Sequence, residues 1–414
     1  MAKYEYGRIT KDLILDTAFS FLDEPRFSTF SMNELAARLS CTKPAIYRHF
    51  AGKDALLDAM ENRVIEGLAP YLKTMGAGDE EAGKKSFGEL IEHFIKNPNH
   101  INYLIAQMSS EPNYEVHLGE KCDTLGLPFM TTNYFEGFNK DISVFSKHVF
   151  CGMSIFYFVK IQEHLKKKGQ ISETPENFGD KIVNLLLKGL SGTTRKGDPL
   201  CIEPISEERK AELLKLCEID GATFPEENRL FRALAAVIEK YKIPGVTIER
   251  IAAELGMAKS SLYEYFAHKN EMVRSLIEKE LQLLHTIVNE NSAEAKNFTE
   301  YIYIMLASEM EYFRNRPSVI PICGWLLMGG ADIDKNERAD SEGGVNPWEA
   351  RLGDRVENPD LGFPYPPRVI TGWIGCLPIA FLVEAKGKNL SEEQYREGFM
   401  LTIDYILNGI NGGK

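Results

Sequence analysis

Apolar residues along this chain recur at the spacing of helices, and convincing strand-like alternation is absent. Between residues 9 and 22, Ile9, Leu13, Ala18, Phe21 and Leu22 fall near a 3.6-residue period, and 230–238 behaves likewise. Ser31 and Glu34 sit three apart at the start of a further apolar run. That is the pattern of a capping box, in which the serine oxygen takes an amide of the first turn and the glutamate reaches back. Thr247 can cap a matching helix, but Arg250 replaces the glutamate, so half the box survives. Short helices are expected at 31–39 and about 43–50, and again at 247–255 and 259–266. Longer ones are expected at 147–168, 176–190, 367–388 and 392–410. The stretch 191–206 is turn-rich, 206–219 reads as a short linker helix, and 331–366 reads as a long loop rich in Gly, Pro and acidic residues.

The pattern repeats because the sequence does. Ser31 to Lys53 overlays Thr247 to Lys269 without a gap, and eight of the 23 positions match: Ala36, Ala37, Leu39, Lys43, Tyr47, Phe50, Ala51 and Lys53. Three further islands follow in the same order. Asn97 onward matches Arg316 onward, Lys147 onward matches Pro367 onward, and "LLLKGLSG" from Leu185 matches "YILNGING" from Tyr405. The offset drifts only from 216 to about 220, which points to a tandem duplication of roughly 8–192 and 224–412. The chain is therefore expected to be all-α. Its expected divisions are 1–60, 61–192, a linker 193–223, 224–280 and 281–414.

Charge changes this picture little. The net charge is −12, yet residues 1–60 hold eight basic and eight acidic side chains, and 226–280 hold nine of each. The acidity lies elsewhere, so it does not exclude a small binding surface on either segment. Seven scattered cysteines form no C-x-x-C pair and suit free thiols in a reducing compartment. No uninterrupted apolar run approaches membrane-span length and the N-terminal stretch has no apolar signal region, so a cytoplasmic protein without a membrane partner is expected. No nucleophile-elbow, zincin, Walker or dinucleotide-binding pattern stands in a believable context, so neither an enzyme nor a cofactor is expected.

In each copy the order is helix, short helix, tight turn, short helix carrying a Tyr and a Phe, then Lys and a long helix. Gly256 suits the left-handed turn position, and Ser40 fills it less comfortably. A helix-turn-helix uses this shape to bring the first turn of its second helix, with exposed amides, into the major groove. The segments "TKPAIYRHFAGKDALL" and "AKSSLYEYFAHKNEMV" resemble the DNA-binding domain of the TetR family of transcriptional repressors. The resemblance implies that Thr42, Lys43, Pro44, Ala45, Tyr47, Arg48 and His49 face double-stranded DNA in the first copy. In the second copy it implies Lys259, Ser260, Ser261, Tyr263, Glu264 and Tyr265, with Lys53 and Lys269 holding the backbone. Tyr47 and Tyr263 would reach phosphates, Arg48 suits guanine and Ser261 either base type. Phe50, Phe266, Ile46 and Leu262 belong to the core. Arg48–His49 against Glu264–Tyr265 implies two unequal half-sites, an imperfect palindrome.

The same resemblance implies that each copy continues into a helical domain for ligand binding and dimerisation. A small effector of unknown identity would modulate DNA binding there, and four helices would build a two-fold bundle. With both copies in one chain, the bundle could form within a monomer, a pseudo-dimer, or between two chains. Candidate effector-contacting residues are Tyr103, Met108, Phe129, Tyr134, Phe138, Met153 and Phe156 in the first copy, and Tyr303, Trp325, Met328 and Trp373 in the second. Aromatic and Met residues at helical spacing equally suit plain core. His93, His100, His117, His148 and His164 gather in the first copy without a recognised metal-ligand spacing, so no metal is expected. A rival reading keeps the fold and drops the DNA: a ligand-binding or scaffold protein in which one or both heads have lost groove contact.

Overall fold

The computed structural model describes residues 9–23, 30–110, 114–127, 141–169, 171, 177–193, 201–222, 224–241, 246–263, 269–327, 367–386, 388 and 390–412. Among these residues there are eighteen α-helices and no strand. The expected loop at 331–366 lies outside the described residues. The chain divides into two compact units, Met1–Phe135 and Glu136–Lys414.

The first unit holds α1 (Lys11–Ser20), α2 (Met32–Arg38), α3 (Lys43–Tyr47), α4 (Lys53–Met75), α5 (Glu80–Lys96), α6 (Pro98–Ser110) and α7 (Tyr114–Thr124). The long α4 buries Leu56, Met60, Val64, Leu68 and Leu72 at four-residue spacing, a stripe that packs on α5. Helix α1 corrects the sequence reading of its inner face. The buried set is Ile14, Leu15, Ala18 and Phe19, whereas Leu13 is 43% exposed and Phe21 and Leu22 fall in a 3-10 turn. Positions 14, 15, 18 and 19 form one i, i+4 stripe, and Leu13 stands about 100° round the helix from Ile14. Polar ties add to this packing. Arg63 of α4 reaches Asp12 and Asp16 of α1, both at 2.5 Å. Buried Glu61 of α4 takes hydrogen bonds from Tyr114 (2.8 Å) and Lys121 (2.5 Å) of α7, and His117 lies 3.2 Å away.

The second unit begins with α8 (Ile142–Lys167) and α9 (Phe178–Lys188), the last two helices of the first copy. It continues with α10 (Glu207–Cys217), α11 (Arg229–Tyr241), α12 (Ile248–Leu255), α13 (Lys259–Tyr263), α14 (Lys269–Ser292), α15 (Phe298–Asn315), α16 (Val319–Leu327), α17 (Pro367–Lys386) and α18 (Glu392–Asn408). Helix α10, in the stretch read as linker, buries Leu213 and Cys217 and docks on α15. Arg209 anchors it with a two-pronged pair to Glu300, at 3.0 and 2.9 Å.

Helices from both copies share one core. Helix α8 packs on α17 and α18, and α9 packs on α18. Trp373 is fully buried there, with ring centroids 6.2 Å from Phe150 and 5.8 Å from Phe158. Its Nε1 donates to Ser154 at 2.9 Å, and the Tyr157 hydroxyl donates to the Val369 carbonyl at 2.8 Å. Each large aromatic buried in such a core contributes about 1.5–3 kcal/mol. By length and hydropathy α8 would pass as a membrane span, but 61% of its most apolar window is buried, as suits a core helix.

The two copies also cross where their last helices end. Gly189 (φ +59°) closes α9 and Gly409 (φ +72°) closes α18. The Ile410 amide donates to the Leu186 carbonyl at 2.9 Å and the Asn411 amide to the Leu187 carbonyl at 3.2 Å. A Cβ on Gly189 would come within 2.5 Å of the Gly409 nitrogen, and one on Gly409 within 2.3 Å of backbone at Leu187. Both backbone conformation and space require glycine at these two positions.

Candidate nucleic-acid interface

In the first copy, Ser31 and Glu34 form the full capping box that opens α2: Glu34 N–H donates to Ser31 Oγ at 3.2 Å, and Ser31 N–H to Glu34 Oε2 at 2.7 Å. Ser40 then takes φ +50°, and the amides of Ser40 and Cys41 donate back to Ala37 (3.0 Å) and Ala36 (2.9 Å). The second copy makes the same turn with Gly256 at φ +66°, and Gly256 and Met257 donate to Ala253 (3.1 Å) and Ala252 (2.9 Å). Its α12 carries the expected half box, with Arg250 N–H donating to Thr247 Oγ1 at 3.3 Å. Equal turns therefore deliver α3 and α13 onto their partners in the same way.

Each short second helix is pinned by one apolar side chain: Ile46 is fully buried and Leu262 is 3% exposed. Phe50, just past α3, is also buried, and the Lys11 ammonium lies 5.5 Å from its ring centre. Thr42 is the N-cap of α3, its hydroxyl is not used in capping, and Pro44 falls in the first turn, where no intrahelical amide is lost. Thr42, Pro44, Tyr47, Arg48 and His49 are exposed, Tyr47 to 45%, and Lys43 and Ala45 are half-buried. Lys53 opens α4 with its ammonium 5.5 Å from the Phe30 ring centre.

The second head differs in its charges. Lys259 forms an ion pair with Glu249 of α12, and this partner holds the Glu249 carboxyl below its ordinary range. The residue at the Glu249 position in the first copy is Asn33, so Lys43 meets no such partner there. Ser260 is exposed and Ser261 half-buried. Tyr263 and Lys269 stand in α13 and α14, and Glu264, Tyr265 and Phe266 lie outside the described residues. The Lys259–Glu249 pair is a contact between two helices that sequence reading missed. A carboxylate ten residues before the lysine was its visible signal.

The described candidate effector residues stand on several helices of the two units. Tyr103 is buried on α6, takes a hydrogen bond from Gln107 at 2.9 Å, and donates to the Leu57 carbonyl of α4 at 3.3 Å. Met108 is half-buried, and Met153 and Phe156 are buried on α8. Tyr303 is buried on α15 with its hydroxyl unpartnered, while Trp373 fills the shared core described above. Trp325 stands in α16, and Phe129, Tyr134, Phe138 and Met328 lie outside the described residues. The fold does join two of the scattered histidines, at a spacing that gave no signal in the sequence. His93 of α5 and His100 of α6 meet at 3.0 Å between Nε2 and Nδ1, beside Gly67 of α4 and 5.7 Å from the Phe19 ring of α1. Burial, then His93 and Arg63, push His100 down to about 4.

With this geometry in view, likeness to known proteins is informative. The family of bacterial regulatory proteins of the tetR type matches residues 14–60 and again 230–276. Over 136 residues the chain is 27% identical to the class D tetracycline repressor protein of Escherichia coli, covering 31% of this chain and 57% of that protein. Over 84 residues it is 32% identical to the nucleoid occlusion factor SlmA of Haemophilus ducreyi, covering 20% of this chain and 42% of that one. The chain thus spans only about half the length of these relatives, 57% of one and 42% of the other. It carries twice a segment that matches the helix-turn-helix domain of the tetR family.

Proposed function

We propose that this protein is a cytoplasmic, sequence-specific DNA-binding regulator, a repressor, that carries two unlike reading heads on one chain. In this reading the shared helical core, to which α8 and α9 of one copy and α17 and α18 of the other contribute, does within a monomer what two identical subunits do elsewhere. The observation that carries it is the crossing of Gly189 and Gly409, where equivalent positions of the two copies meet backbone to backbone. The DNA partner is an imperfect palindrome. The first half-site meets exposed Arg48, His49 and Tyr47, and the second meets a head whose leading lysine is engaged by Glu249. A small effector, bound in a helical domain, releases DNA by favouring the geometry that does not fit it.

Selection from random duplexes tests this reading, with the chain's mass in solution measured by ultracentrifugation. Enrichment of two different half-sites by a monomer is expected. No enriched sequence sinks the regulator, and an obligate dimer of chains sinks the single-chain arrangement. The Lys259–Glu249 pair favours one narrower alternative, a second head that only clamps phosphates. Enrichment of the first half-site alone would select it.

A further inference from the structure

His93 of α5 and His100 of α6 share one hydrogen bond, Nε2 to Nδ1, at 3.0 Å. A contact of that length between two ring nitrogens needs a proton on one and a lone pair on the other. At least one imidazole is therefore neutral in this fold. Helices α1, α4, α5 and α6 meet around the pair. Both rings lie against Gly67 of α4, where a Cβ would stand 3.1 Å from each. Glycine inside a helix is costly, and here it leaves the space that the rings fill. The Phe19 ring of α1 packs 5.7 Å from His100, and the Tyr71 ring of α4 packs 5.5 Å from His93. The charges acting on the pair are positive: Lys96 of α5 on His93, and Arg63 of α4 on His100. Asp12 and Asp16 of α1 are both engaged by Arg63. Burial first, then these charges, hold His93 below the ordinary imidazole range and His100 at about 4.

The second copy builds the same corner without histidine. The amides of Asn97 and Arg316 donate to the carbonyls of His93 and Tyr312, each at 2.8 Å. Those of His100 and Val319 donate to the carbonyls of Asn97 and Arg316, each at 3.0 Å. Tyr312 and Val319 therefore stand where the first copy has the pair. Counting on from Lys53 and Lys269 puts Leu283 at the place of Gly67. Tyr312 instead donates its hydroxyl to Glu280 at 2.5 Å. The corner closes with these residues, so closure alone does not require the histidines. Their place also matters to the first head. Arg63 clasps α4 to α1 through both aspartates, and α2 packs on α1. A first proton on the pair sets a charge against Arg63 and Lys96. A second leaves the facing nitrogens with no lone pair between them.

We propose that the His93–His100 pair is a proton switch for the first reading head: neutral, it locks α1, α4, α5 and α6 together, and protonated, it opens that corner and weakens this head alone. The opening rests on the histidine geometry, and only its effect on DNA rests on the proposed function. Because the fold favours the neutral pair, its contribution is complete above the ordinary imidazole value of 6.5 and is lost as pH falls from there towards 4. Imidazole resonances of the full chain, followed by NMR, should show both rings titrating below 6. Hydrogen exchange in α1 and α4 to α6, corrected for the intrinsic effect of pH, should rise over the same interval, and exchange in α11 and α12 should not. His93→Gln with His100→Asn sets amide groups where the two ring nitrogens stand, so the hydrogen bond survives and nothing titrates. This variant should fold like the wild type at neutral pH and lose the acid-induced exchange. Should the amides loosen the corner, His100→Val, the second copy's own residue, carries the same comparison. Titration of both rings near 6.5, or opening that persists in the variants, overturns the switch. A duplex enriched by the wild type at neutral pH is then titrated by fluorescence anisotropy at fixed ionic strength. Its affinity should fall roughly tenfold by about pH 5, within the limit of about thirtyfold for one imidazole passing from about 4 to 6.5 on release. The non-titrating variant should keep its affinity, and the remaining histidines, present in both proteins, cancel in the difference. Opening that leaves affinity alike in both proteins overturns the regulatory link and spares the switch. Failure to enrich any duplex overturns the proposed function instead.

Discussion

The two reading heads make the same turn from different residues, and the difference separates what the backbone demands from what the ligand demands. Ser40 and Gly256 both occupy the left-handed region and return equivalent hydrogen bonds to Ala36–Ala37 and Ala252–Ala253. Ile46 and Leu262 both plug the core beneath the second helix. On the outer face the likeness ends. Lys43 has Asn33 at the position where Lys259 has Glu249, and Arg48–His49 stand where the second copy has Glu264–Tyr265. Packing has held the scaffold constant while the charged surface has diverged.

The largest effect is expected where the copies have not diverged at all. Gly189→Ala places a Cβ 2.5 Å from the Gly409 nitrogen at a φ of +59°. With clash and strain combined, the second unit should lose about 3 kcal/mol or more in urea unfolding, or fail to fold. An unchanged midpoint would show that the crossing gives way easily, and that the two copies are less tightly joined than their backbones indicate.

Next in size is the contrast between the lysines. Reversing Lys43 with Lys43→Glu should cost about 2–3 kcal/mol of duplex affinity, roughly a hundredfold, read by fluorescence anisotropy at low salt. Lys259→Glu should cost distinctly less, because that ammonium is already engaged by Glu249. Equal losses would erase the proposed inequality of the heads.

The turn itself provides a smaller test. Ser40→Gly removes a Cβ from a left-handed residue and should stabilise the first head by about 1 kcal/mol, while Gly256→Ala should destabilise the second by a similar amount. Thermal unfolding followed by circular dichroism reads both. Two shifts of the same sign would mean that the turns are not equivalent.

Much of this scaffold was legible in the sequence because its signals are local. The capping box at Ser31 and Glu34, the half box at Thr247, the turn glycine at 256 and the plugs Ile46 and Leu262 all act within a few residues of themselves. The inner face of α1 was misread because Leu13 is apolar yet exposed, and which apolar stripe turns inward is decided by the helices it meets. What required the fold were contacts between distant segments. Phe150 and Phe158 meet Trp373 across more than two hundred residues, which makes this tryptophan part of the bundle core. His93 and His100 carry no motif, and they stand out only because the fold brings them to 3.0 Å beside Gly67.

The finest division between the heads is the Glu249–Lys259 pair, and Glu249→Gln isolates it. The pair is exposed on both sides, so its contribution to folding is small and the variant should unfold like the wild type. Its influence on DNA should be larger, since the change removes a negative charge from beside the Lys259 ammonium in the first turn of α13. Affinity for duplex should rise by about two- to fivefold at low salt, and the salt slope should steepen by up to about 1, the signature of one further phosphate contact. The reciprocal change, Asn33→Glu, should draw Lys43 into the same pairing and flatten the slope of the first head by a like amount. If both slopes stay fixed, the pairing does not distinguish the heads. Their inequality then rests on Arg48–His49 against Glu264–Tyr265, in the reading of bases rather than the grip on the backbone.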